Sequence, residues 1–196
     1  MTAAAESNRS KRREAEHAAN RASILEAARR VAARDGAAHL SLRSVAAEAG
    51  YAPAALYGYF RNKNDLLLAL AAEDLSGLAR RMRDAGSGEG RLAAAASAAM
   101  ELLQHSETMA AMPSAFASGE QPGDAERHFN GRMIAALMVL SEAAGGGVNS
   151  REAQADTVLI AAALSGLALL ARSGRLTALG FTTEEILARL DKRFSR

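Results

Sequence analysis

The chain has 196 residues, 49% of them apolar and only 4% aromatic, with no cysteine and a net charge of +2. Without cysteine there is neither a disulfide framework nor a thiolate metal site. The length suffices for a buried core without such staples. Much of the apolar content is alanine, the strongest helix former, and β-branched residues are few, so the composition reads as all-α. Charge is unevenly placed: residues 1–63 carry 11 Lys/Arg against 6 Asp/Glu, and residues 64–196 carry 13 against 16. A basic N-terminal third on a mildly acidic body points to a polyanionic partner, although solvated helix faces give the same counts.

Residues 1–20 are polar and include Arg9, Lys11, Arg12 and Arg13, which predicts a flexible basic arm. The polar N-terminus is unlike a secretory signal, which leads to the expectation of a cytoplasmic protein. Ile24, Leu25, Ala28, Val31 and Ala32 recur at helical spacing, and Asp35-Gly36 stops that helix. Ser41 is a natural cap for a second helix whose apolar face is Leu42, Val45, Ala46 and Ala49, and Gly50 can end it in a left-handed conformation. Pro53 suits the first turn of a short third helix that buries Leu56 and Phe60. A fourth helix starts near Asn62–Asp65, carries Leu66, Leu67, Leu70, Leu75 and Leu78, and ends before Gly86–Gly90. No strand precedes that Gly-rich stretch and no GK[ST] follows it, so it reads as a linker rather than a phosphate cradle.

Further helical segments are expected from Arg91 to about Phe116 and from Ala125 to Ala144. Ser150 can cap a long helix to about Arg172, and Thr182 with Glu185 can open a final helix to about Phe194. The apolar run Thr157–Ala171 is 15 residues long, short of the roughly 20 that span a bilayer. It predicts a helix buried in protein, with no membrane partner. Its stretch from Val158 to Leu170 is apolar on more than one face, which predicts a two-fold partner covering the remainder.

The segment EAGYAPAALYGYFRNK, Glu48 to Lys63, holds all three tyrosines, Tyr51, Tyr57 and Tyr59, among small residues. Two helices joined by a glycine turn, the second short and small at its N-terminus, describe a helix-turn-helix. In that motif the second helix enters the major groove. Small residues then allow close approach, and tyrosines one turn later can reach phosphates. Half-buried packing tyrosines with wet tips are the structural alternative.

Ile24 to Leu70 resembles the DNA-binding domain of the tetracycline-repressor (TetR) family. The resemblance is carried by Ile24-Leu25, Ala27-Ala28, Gly36, Val45-Ala46, Ala49-Gly50, Leu56-Tyr57-x-Tyr59-Phe60, Lys63 and Leu66. It implies a homodimer that binds a palindromic DNA operator and releases it when a small molecule enters the C-terminal domain. It further implies phosphate contacts from Ser41, Tyr57 and Lys63, a base or phosphate contact from Arg43, and a backbone contact from Tyr59. Ala52 departs from the usual capping Ser, and Ala54 and Ala55 from a frequent Gly and Thr, so the DNA-facing set reads Ser41, Arg43, Ala52, Pro53, Ala54, Ala55, Tyr57, Tyr59 and Lys63. The expected organisation is an arm over 1–20, a helix-turn-helix domain over 21–66, and a ligand-binding and dimerisation domain over 67–196.

Other chemistry has little support. His17, His39, His105 and His128 are scattered without metal-ligand spacing, no GxSxG occurs, and adjacent carboxylates such as Glu73-Asp74 diverge on a helix. No catalytic constellation and no cofactor are expected. Met100, Met109, Met112, Phe116, Phe129, Met133 and Met138 are candidates for an adaptable apolar pocket, with His105 and Arg132 as polar contacts, although ordinary core packing accounts for each singly. The sequence therefore predicts an all-α, ligand-responsive transcriptional regulator, a repressor in the first instance. An all-α small-molecule carrier or enzyme and a helical protein adaptor are the alternatives.

Overall fold

The computed structural model describes residues 2–84, 90–109, 111, 123–146 and 150–195, with side chains from Ser7 onward. No strand occurs among the described residues. The helices are α1 (Thr2–Asp35), α2 (Leu42–Ala49), α3 (Pro53–Leu56), α4 (Lys63–Asp84), α5 (Arg91–His105), α6 (Asp124–Ala143), α7 (Arg151–Arg172), α8 (Arg175–Ala178) and α9 (Thr183–Phe194), with a 3-10 turn at Ala37–His39. The chain divides into two compact units, residues 1–70 with 111–120, and residues 71–110 with 121–196. The expected boundary after residue 66 falls about one turn earlier in the same helix, α4.

The first unit closes around Ile24, Leu25, Ala28 and Val31 from α1, Leu42, Val45 and Ala46 from α2, Leu56 from α3, and Leu66, Leu67 and Leu70 from α4. Leu40 and Phe60, in the connections, are also buried. The helical spacing in the sequence thus becomes one apolar core. The first twenty residues differ from expectation: helix begins at Thr2 and not at the end of a flexible arm. Alanine, arginine and glutamate are strong helix formers, and the Arg12–Glu16 pair at 3.0 Å adds support of the i,i+4 kind.

In the second unit α5 packs against α6, α7 and α9, and α7 also packs against α6, α8 and α9. The core is Leu92, Ala95, Ala96, Ala99 and Met100 from α5, Phe129, Ala136, Val139 and Leu140 from α6, and Ile160, Leu164, Leu167 and Ala168 from α7, closed by Leu176, Leu187 and Leu190. Gly90 offers no side chain to cap α5. Asp191 of α9 does so instead, its Oδ1 accepting the Ala93 amide at 3.0 Å. The segment expected to continue to Phe116 is interrupted at Ser106, whose Oγ accepts the Met109 amide at 3.1 Å and so starts a new turn. That hydroxyl donates to Asp74 Oδ2 on α4.

α7 is long and apolar enough to cross a membrane by length and composition alone, yet only 33% of its most apolar window is buried. Ala153, Thr157, Ile160, Leu164 and Leu167 form its inner stripe. Val158, Leu159 and Leu169 stand outside it, 57–66% exposed. The helix is thus buried within its own unit along one face only, which leaves the other for the expected two-fold partner.

Candidate nucleic-acid interface

The tip of the first unit is built from the α2–α3 turn. Ser41 caps α2 with a reciprocal box: its Oγ accepts the Ser44 amide at 3.0 Å, and Ser44 Oγ accepts the Ser41 amide at 3.1 Å. Gly50 takes φ 74°, a left-handed value that a side chain would strain, and Tyr51 N–H reaches back to the Ala46 carbonyl at 2.9 Å. These two ends fix the angle at which the chain leaves α2.

Ala52 is the N-cap of α3, in extended conformation (φ −64°, ψ 138°) with no side-chain cap, and Pro53 fills the first helical position. Ala52, Pro53, Ala54 and Ala55 are all exposed, while Leu56 is wholly buried beneath them. The short helix thus presents only methyl groups and a pyrrolidine ring outward. The three tyrosines separate by role. Tyr51 and Tyr59 pack partly on the core, whereas Tyr57 projects with 64% of its surface exposed. Tyr59 is covered on one side by His17, whose ring stacks at 4.6 Å with the planes 23° apart.

The basic residues are distributed around this tip. Arg43 is exposed on α2. Lys63, at the first position of α4, holds the Ala38 carbonyl at 2.7 Å, so a phosphate contact from its amine competes with that bond. Arg61 is engaged by Asp65 at 2.7 Å. Behind the tip, Glu48 of α2 accepts from Arg30 Nε at 2.8 Å and Arg34 Nη1 at 3.0 Å on α1. The Arg30 and Arg34 hydrogen bonds hold the Glu48 carboxyl below its ordinary range, and Asp35 with Glu48 pushes Arg34 upward. This triad neutralises an acid that would otherwise repel a polyanion and braces α2 against α1.

The tip is therefore a small, exposed, donor-poor helix on the core of the first unit, flanked by the projecting Tyr57 and by cations. Residues 24–70 match the model of the bacterial regulatory proteins of the tetR family. The helix-turn-helix is that of the TetR family. Nothing among the curated proteins matches the chain. Among solved structures, a TetR transcriptional regulator from Rhodococcus sp. RHA1 is 20% identical with a TM-score of 0.72, covering 91% of this chain and 97% of that one. A protein of unknown function from the same source is 27% identical with a TM-score of 0.69, covering 90% and 94%. The transcriptional regulator FadR from Bacillus subtilis, solved in complex with stearoyl-CoA, is 17% identical with a TM-score of 0.60, covering 88% and 96%. The all-α fold of these structures is thus shared over 88–91% of this chain.

The pocket candidates in the second unit are dispersed. Met100 and Phe129 are buried and Met109 is half-buried, whereas His105, Arg132 and Met133 are exposed. Met112 and Phe116 lie outside the described residues. An open cleft of about 490 Å³ is lined by Ile134, Leu137, Met138 and Ser141 of α6 and Gln154, Thr157 and Val158 of α7. Of the sequence-selected pocket residues, Met138 alone belongs to this lining. Its signal was present as facing helical periodicities, 134/137/138/141 and 154/157/158, but only the packing of α6 on α7 brings the two rows together.

Proposed function

We propose that this chain is a ligand-responsive transcriptional regulator of the TetR family. On this reading it is a cytoplasmic repressor that binds a palindromic operator in double-stranded DNA as a homodimer. A small apolar or amphipathic effector bound within residues 67–196 releases it. The observation that carries the reading is the α3 tip, where every outward position is Ala, Pro or the projecting Tyr57 while Leu56 and Phe60 are locked in the core. Ser41, Arg43, Tyr57, Tyr59 and Lys63 then supply positioning contacts, and Ala52, Pro53, Ala54 and Ala55 meet the groove floor. The exposed apolar side chains Ile134, Met138, Val158 and Leu159 on α6 and α7 support a second copy packing there as a four-helix bundle. The long-chain acyl-CoA in the FadR complex supports an amphipathic effector class, for which Met100, Met109, Met112, Phe116, Phe129 and Met133, with His105 and Arg132, remain the proposed contacts.

Selection of bound duplexes from a random pool, followed by gel shifts at two salt concentrations, tests this. A two-fold symmetric consensus with affinity falling steeply with salt is expected. Binding without sequence preference, or none, overturns the reading. An effector must weaken operator affinity by the same factor by which operator weakens effector affinity, typically about 5–150-fold.

A further inference from the structure

α1 continues well beyond the core it serves. Its buried residues begin at Ile24, and residues 7–20 are exposed on every side. A helix without a buried face gains nothing from packing. Two ring contacts tie its near end to the tip: the His17 stack on Tyr59 at 4.6 Å, and the Arg21 guanidinium 5.4 Å from the centroid of the Phe60 ring. Tyr59 and Phe60 lie two and three residues after the projecting Tyr57. The extension therefore starts at the DNA-facing tip itself.

Positions four apart share a helix face. The row that holds His17 and Arg21 continues to Arg13 and Arg9, winding about 40° round the helix at each step, and positions 9, 13, 17 and 21 include no carboxylate. The other two cations of the segment are set apart in different ways. Lys11 is on the opposite side at about 100° per residue, and Arg12 is tied to Glu16 at 3.0 Å. Glu14 accepts from Ser10 Oγ at 3.0 Å. One unpaired cationic stripe thus runs out from the tip. The tip itself offers no side-chain donor at Ala52, Ala54 or Ala55, so backbone affinity must come from neighbouring elements.

We propose that this stripe is a second DNA-contacting element, in which Arg9 and Arg13 bind duplex phosphates flanking the half-site read by α3, with the His17–Tyr59 stack setting its direction. The proposal rests on the DNA-binding reading above. The two arginines are about 6 Å apart along the helix, nearly two of the about 3.4 Å axial steps between phosphates of one strand, so they reach phosphates two apart on a single strand. Such contacts add affinity and length of footprint and carry no base information.

The test uses the full chain on its selected operator, with affinity measured across a salt series and hydroxyl-radical footprints taken on the same complexes. R9Q/R13Q removes the stripe, and K11Q/R12Q removes the same number of charges, one from the opposite side and one already paired with Glu16. The first pair is expected to flatten the log–log salt slope by about 1.8, at about 0.9 per lost phosphate contact, and to shorten the footprint at its outer edges. The second pair is expected to flatten it by less than half as much. His17→Ala is expected to weaken binding with an unchanged unfolding temperature. Equal slopes for both pairs, or no change with R9Q/R13Q while the wild type binds normally, overturns the stripe alone. A wild type without specific, salt-dependent binding overturns the DNA-binding reading and the stripe with it.

Discussion

Replacing Ala52 by serine probes the recognition tip at one atom. Ala52 has the extended conformation of an N-cap and is exposed, so an added hydroxyl meets no obstruction. Ser in place of Ala at such a position gains about 0.5–2 kcal/mol. The local hydrogen bonds narrow that range. Pro53 has no N–H, and the Ala55 amide already donates to the Ala52 carbonyl at 2.9 Å. The Ala54 amide is the remaining first-turn donor, which places the gain near the low end, about 0.5–1 kcal/mol. For a chain of this length that is a rise of about 1–4 °C in Tm. The same hydroxyl can accept from the amide and still donate its proton to a phosphate. A hydrogen bond to a charged group contributes about 1.5–3 kcal/mol, so affinity should rise about tenfold or more. The rise should be alike for the operator and its point variants, because phosphates carry no sequence. Thermal unfolding and gel shifts on a panel of operator variants read both effects. Weaker binding, or altered base preference with an unmoved Tm, would refute this placement of α3. Ala55→Thr is the contrast: it should change which bases are preferred.

Tyr57→Phe removes one hydroxyl from a side chain that is 64% exposed; operator affinity should fall by about 10–100-fold with Tm unchanged, and a fall in Tm would mean that Tyr57 packs instead. Glu48→Gln should lower Tm at neutral pH, because Arg30 and Arg34 depress the native carboxyl value. A depressed value stabilises above the unfolded carboxylate value of about 4.3 and is lost as pH falls through the lower native one. The difference in Tm between wild type and variant should therefore shrink below about pH 4, and a constant difference down to pH 3 would assign the effect to packing. Val158→Glu with Leu159→Glu places charge on the outer face of α7. Sedimentation should then show a monomer with intact helicity and loss of cooperative operator binding, and a surviving dimer would move the interface elsewhere.

Much of the first unit was legible in the sequence because its signals are local. Apolar spacing in α1 and α2, the Ser41 cap, the Gly50 left-handed turn and Pro53 at a first helical position are each decided within a few residues of chain, and each appears at the expected place. The N-terminal twenty residues read as an arm because their composition is polar. Composition does not reveal that i,i+4 partners and two ring contacts continue α1 through them.

What the tertiary structure decided depends on which residues meet across the fold. Tyr51, Tyr57 and Tyr59 are alike in sequence, and only the core beneath them separates two packing rings from one projecting one. Lys63 holds the Ala38 carbonyl 25 residues earlier, and Asp191 caps a helix that begins 100 residues before it. The apolar run of α7 fixed a helix but not its covered side, since periodicity cannot count the neighbours available to bury it. The cleft between α6 and α7 arose from two ordinary stripes whose meeting no local pattern encodes.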